Sequence, residues 1–334
     1  MQSDNIKAYL DGEISYSGFG AFIFPEPVTL SDDSGTLRNL EELNLDPSPR
    51  SRQVALTHEI NGKPIIVSDD GFVGVFMPEE EAKSFLNTIL ATLLTRGIQG
   101  QFLQDNDLCG FKWYPDRNQI WLDRISIPSE RLLFSLIRDD QNYHLYDLWT
   151  KYPRRVLNKD TCKQVLERAF EYTTKPELNK DLILVFEGYT LLFSNANRGA
   201  FLYGWMIIET FLEKLWEEYV DSLKDRTRNE KDTLKDYRSW TSHHHIEMFA
   251  LVGIIQDMTV RNLFNKLRKK RNDIVHKRED VTAEESAGCL RIAMLIILNR
   301  LRNEKNPFLE LENTQLVELW DCRHVGGQSV IEDD

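Results

Sequence analysis

The spacing of apolar positions changes character along the chain. "ISYSGFGAFIF" (14–24) is dense in aromatic and β-branched residues, which predicts a strand. The turn-rich loop "PEPVTLSDDSG" follows. "QVALTHEINGKPIIVSDDGFVGVF" (53–76) holds two or three strand-like runs, punctuated by "ING" and "SDDG" as in hairpins. "PEEEAKSFLNTILATLLTRG" then shows apolar spacings of three and four, with Pro78 and acidic residues at its start and Gly97 at its end, so it predicts a helix. "CGFKWY" (109–114) and "QIWLDRISI" (119–127) flank "PDRN" as a further hairpin. Residues 1–128 therefore read as a mixed α+β domain.

From residue 129 the period becomes helical. "SERLLFSLIRDD", "DTCKQVLERAFEYTT" and "PELNKDLILVFEGYTLLFSNA" each predict a helix, and "RGAFLYGWMIIETFLEKLWEEYVDSLKD" (198–225) a long, strongly apolar one. "HIEMFALVGIIQDM", "TVRNLFNKLRKKRNDIVHKRED" and "TAEESAGCLRIAMLIILNRLRNEKN" (282–306) follow in the same style. Strand signals are nearly absent across 131–306, so residues 129–306 read as an all-α bundle. The segment 307–334 is an acidic tail. The expected class is α+β overall, a mixed domain followed by a helical one.

Charge sharpens this division. The 334 residues carry a net charge of −12. Residues 1–130 hold 20 acidic and 10 basic side chains, and the tail from 307 holds 7 and 1, so residues 131–306 carry 26 and 30 and are the basic part. A polyanion is expected to approach there. The N-terminus lacks the basic-then-apolar layout of a signal peptide, and the longest apolar run, "IAMLIIL" (292–298), is too short to cross a bilayer. Cys109, Cys162, Cys289 and Cys322 are scattered with no CxxC pair. These features predict a cytoplasmic protein with no membrane partner, no structural zinc and no cofactor.

The chemistry concentrates in "LRKKRNDIVHKRED" (267–280). Asp257 or Thr259 is placed to cap this helix. Leu263, Phe264, Leu267, Ile274 and Val275 fall on one apolar stripe, and Arg271 interrupts it, where a cation needs an anionic partner. Asn272 and His276 lie four apart and share a face. Lys266, Arg268, Lys269, Lys270, Arg271, Lys277 and Arg278 give a local run of cations interrupted by Asp273, which predicts an RNA-binding surface. The Arg-x4-His spacing alone decides nothing: composition gives about half a match by chance, and Arg238 with His243 is a second one. His243, His244 and His245 point in different directions on a helix and read as a capping loop, not a metal site. Phe201 and Trp205 read as core, and Cys289 as a small buried residue.

A long apolar helix followed by a basic amphipathic helix bearing "RNDIVH" resembles the HEPN superfamily, near its Apea-like branch, over about residues 131–306. The resemblance implies a helical bundle that pairs as a homodimer, with two Arg/His motifs facing across a cleft. It implies a metal-independent endoribonuclease of microbial antiphage-defence or toxin–antitoxin systems, leaving 2′,3′-cyclic phosphate ends. Arg271, Asn272 and His276 match the motif, Glu209 matches the inward acid of the earlier helix, and Asp273 stands beside them in support. The alternative within the resemblance is a catalytically inactive module that binds RNA or protein. Residues 1–128 lie outside it and are expected to bind a regulatory protein or ligand.

Overall fold

The computed structural model describes residues 7–10, 13–22, 28–31, 37–38, 51–98, 100–123, 154–236 and 241–301. The expected helix at 129–140 and the tail from 307 lie outside the described residues. The chain forms two compact units, Met1–Asn179 and Lys180–Asp334. The first mixes strands with helices and the second is helical where described, so the class is α+β.

The strands are β1 (Lys7–Leu10), β2 (Glu13–Phe22), β3 (Val28–Ser31), β4 (Leu37–Arg38), β5 (Ser51–Ile60), β6 (Lys63–Ser68), β7 (Phe72–Val75), β8 (Cys109–Tyr114), β9 (Gln119–Leu122) and β10 (Arg154–Asn158). Strands β2, β7, β6, β5, β9 and β8 pair antiparallel in that order. β8 returns to β2, so six strands close a barrel and leave no free edge between them. The hairpin from β5 to β6 turns through Asn61 and Gly62 at φ 50° and 73°, the left-handed pair that a two-residue turn requires.

The barrel interior explains "SGFGAF". Val54, Ile66, Phe72, Cys109, Phe111, Ile120 and Leu122 form one buried cluster. Phe72 and Phe111 meet edge to face at 5.6 Å between centroids. A Cβ at Gly20 would lie 2.3 Å from Phe72 Cζ, and one at Gly18 would lie 2.8 Å from Phe111 Cζ. The glycines leave the space that the rings fill. Each ring so buried contributes about 1.5–3 kcal/mol.

Two features move the edge of the first unit past the boundary expected at residue 128. "VTLS", read from sequence as loop, forms β3 and pairs parallel with β10, while β4 flanks β10 antiparallel. Helix α2 (Lys159–Thr173), expected in the bundle, packs against α1 (Glu79–Leu94) and β5. Parallel pairing between distant segments has no local sequence mark, whereas the helix ends do. Asn158 caps α2 by accepting from the Asp160 amide at 2.8 Å, and α1 begins after Pro78 with Glu79, Glu80 and Glu81 in its first turn.

The helices that follow are α3 (Pro176–Phe193), α4 (Asn197–Ser222), α5 (Arg228–Leu234), α6 (Ser242–Leu251), α7 (Met258–Lys277) and α8 (Ala283–Leu301). Helix α4 is the centre of the second unit and packs on α8, α6 and α7. Its crossing with α8 is tight, since a Cβ at Gly204 would sit 3.0 Å from Cys289 Sγ and 3.1 Å from the Leu290 amide nitrogen. Phe201, Trp205 and Cys289 are all buried, as the sequence suggested. Helix α5 was not expected. A reciprocal cap starts it, in which Glu230 accepts from the Thr227 amide at 2.8 Å and Thr227 accepts in return from that of Glu230. Among the described residues no helix is long and apolar enough to cross a membrane.

Candidate functional site

Helix α7 carries the basic motif. Asp257 caps it by accepting from the Thr259 amide at 2.6 Å. Val260, Leu263, Phe264, Leu267 and Ile274 are buried along one stripe. Val275, expected on that stripe, is 48% exposed instead. One residue past Ile274 is a rotation of about 100°, which places Val275 on the flank of the stripe.

Arg271 lies half-buried in line with the stripe and finds its partners on two elements. Its Nη1 donates to Asn272 Oδ1 at 3.0 Å, and its Nη2 stands 3.8 Å from Glu209 Oε2 on α4. Glu209 in turn accepts from the Ser242 hydroxyl in the first turn of α6. One turn along α4, burial pushes the Glu213 carboxyl above its ordinary range, and the negative charges of Glu209 and Glu217 push it further. Arg271 thus faces Glu209 on α4.

His276 sits in the last turn of α7 and is exposed. Among the described residues no hydrogen bond or ion pair reaches it. Asn272, expected to share a face with it, gives its oxygen to Arg271 instead. The structure therefore brings together Arg271, Asn272 and Glu209, and leaves His276 beside them on the solvent side of the same helix. Asp273, expected in support of the motif, pairs with Lys277 at 2.7 Å, and that ammonium holds its carboxyl below the usual range.

The cationic run divides into two kinds. Lys270 is held between Glu279 at 3.4 Å and Glu285 at 3.2 Å, and Lys277 is occupied by Asp273. Lys266, Lys269 and Arg278 are exposed, and Arg268 is half-buried. The surface charge available to a polyanion is accordingly smaller than the sequence count of seven.

The histidines at 243–245 take up three different roles. His244 completes the cap of α6, its Nδ1 lying 3.2 Å from the Thr241 amide. His243 Nδ1 lies 3.3 Å from Asn265 Oδ1. His245 is buried against Trp216, rings stacked at 5.9 Å, and burial, with the neighbouring His244, lowers its pKa. The triplet thus opens a helix and does more than form a loop. Among the described residues no group of three His, Cys, Asp or Glu side chains could hold a metal ion. Arg238 lies outside the described residues.

Ser242 and the trio of Glu247, Arg261 and Asn265 were missed in the sequence. Glu247 accepts from Arg261 and, at 2.9 Å, from Asn265, and these bonds lower its pKa. The four-residue spacing from Arg261 to Asn265 was a visible signal for a shared partner, but the partner comes from another helix. Comparisons with protein-family models, with curated proteins and with solved structures found no match.

Proposed function

We propose that the chain is an endoribonuclease whose helical part is a HEPN-like bundle working as a homodimer, in a microbial antiphage-defence or toxin–antitoxin setting. The observation that supports this reading is the pairing on α7 of a half-buried Arg271, steadied by Asn272 and Glu209, with an exposed His276. Arginine keeps its charge and presents a planar fork to phosphate oxygens, and histidine exchanges protons near neutral pH. A base removes the proton from a ribose 2′-hydroxyl, and that oxygen attacks phosphorus. The bond to the 5′-oxygen breaks as an acid protonates it. The products are a 2′,3′-cyclic phosphate and a 5′-hydroxyl, and no metal is required. One chain supplies a single such histidine, so a second copy completes the acid–base pair.

The test is cleavage of single-stranded RNA in EDTA by wild type, Arg271→Ala and His276→Ala. His276→Ala is expected to lower the rate by about 10²–10⁴-fold, and Arg271→Ala by about 10²–10³-fold. Equal rates in all three proteins overturn the proposal. A second reading, an RNA- or protein-binding module that does not cut, is favoured by the lack of an orienting partner for His276 among the described residues. Binding of RNA without cleavage by wild type selects it.

A further inference from the structure

Four non-glycine residues among those described have left-handed backbones: Asn61, Asn118, Asn195 and Arg278. Asparagine tolerates that conformation and arginine has no such affinity for it. Arg278 ends α7 at φ 57°, the position where helices most often place glycine. The amides of Arg278 and Glu279 both reach the Asp273 carbonyl, the latter at 3.2 Å. Arg198, from the first turn of α4, donates to the Arg278 carbonyl at 2.7 Å and pairs with Asp280 at 2.6 Å. Lys270 adds its pair to Glu279. The unusual conformation is therefore held from several sides.

The Arg278 side chain does none of this holding. It is exposed, and among the described residues no ion pair or hydrogen bond engages it, while its neighbour Lys277 is taken by Asp273. A glycine would make the same cap at no steric cost. What arginine adds is a planar cationic fork on a backbone held in place, two residues beyond His276.

We infer that Arg278 is a phosphate-contacting residue for single-stranded RNA, presented by a rigid left-handed cap, and that Arg198 is the positioning residue that clamps the cap. This rests on the ribonuclease reading for the class of its ligand. Each phosphate contact releases counterions, so its loss flattens the dependence of affinity on salt.

The experiment measures binding of a labelled oligouridylate to the full chain across salt concentrations, with thermal melting alongside. Arg278→Gly is expected to melt no lower than wild type, to bind at least five-fold more weakly, and to lose about 0.7 from the slope of log affinity against log salt. Arg278→Asn, which also accepts the left-handed backbone, serves as the second variant with the same expectation. Arg198→Gln is expected to weaken binding alone and to change nothing further when added to Arg278→Gly. Unchanged affinity and slope in Arg278→Gly, with wild type binding and cutting RNA, overturn this inference and leave the ribonuclease reading standing. Absence of RNA binding by wild type overturns both. Arg278-dependent binding of polyglutamate in place of RNA overturns the inference in favour of an acidic protein partner.

Discussion

Each unit holds an arginine against a carboxylate that also accepts from a serine, and the two pairs differ in burial and separation. In the barrel, Arg52 and Asp70 are 6% and 4% exposed and lie in direct contact, and Ser68 donates to the same carboxylate at 2.5 Å. In the helical unit, Arg271 and Glu209 are 33% and 26% exposed and 3.8 Å apart, and Glu209 is shared with Ser242. The first pair is desolvated and close, so either member alone would be an uncompensated buried charge. The second is loose and partly open to water, so losing either member strands no fully buried charge. The same two chemical groups thus form a close, buried pair in one place and a loose, water-exposed one in another.

The largest effect should come from breaking the buried pair. Arg52→Ala is expected to lower unfolding free energy by about 3–5 kcal/mol, read from the denaturant midpoint. Replacing both partners, Arg52→Met with Asp70→Leu, should restore most of that loss, because no charge is then left behind. A double variant as unstable as the single one would show that the pair does more than neutralise itself.

Asp69, next to this pair, gives the comparison a pH axis. Burial pushes its carboxyl up to about 6, the charge of Asp70 adds to this, and Arg52 opposes it. The folded protein then keeps the Asp69 proton up to about pH 6, whereas the unfolded chain releases it near 4. Between those values the native state binds more protons, so this group's contribution to stability falls as pH rises through the window. Asp69→Asn should remove that part of the slope in denaturation curves taken at pH 4.5 and 6.5. An unchanged slope would show that Asp69 is ionised in the fold across the window.

The open pair should matter much less to stability. Arg271→Ala is expected to shift the unfolding free energy by no more than about 1 kcal/mol, whatever its effect on RNA. A loss as large as that of Arg52→Ala would make the pair a structural bridge. At the bottom of the scale, Lys277→Ala removes a surface pair one helical turn long and should leave the thermal melting point unchanged.

Much of the fold was legible wherever local chemistry decides it. The Asn61–Gly62 turn and the acidic start of α1 after Pro78 are short-range interactions that the sequence places, and it narrows the cap of α7 to Asp257 or Thr259, of which the structure uses Asp257. So was the amphipathic face of α7, which buries Leu263, Phe264, Leu267 and Ile274 as its spacing demands. The candidate site was legible in its members on α7 and, through the resemblance, in Glu209 on α4. Arg271, Asn272 and His276 were singled out by the interrupted apolar stripe and the basic helix around them, but these could not tell that Asn272 turns to Arg271, or that Ser242 meets Glu209 from α6.

What only the tertiary structure decided is which distant groups meet. The parallel pairing of β3 with β10, the return of β8 to β2, the capture of Lys270 by Glu279 and Glu285, and the clamp of Arg198 on the Arg278 carbonyl join separate segments of the chain. Periodicity and caps are set by neighbours within a turn or two, and they determined where elements begin and which faces they bury. Charge counts along the chain could not determine how many cations of α7 remain available to a ligand, because a charge is neutralised by whatever lies near it in space.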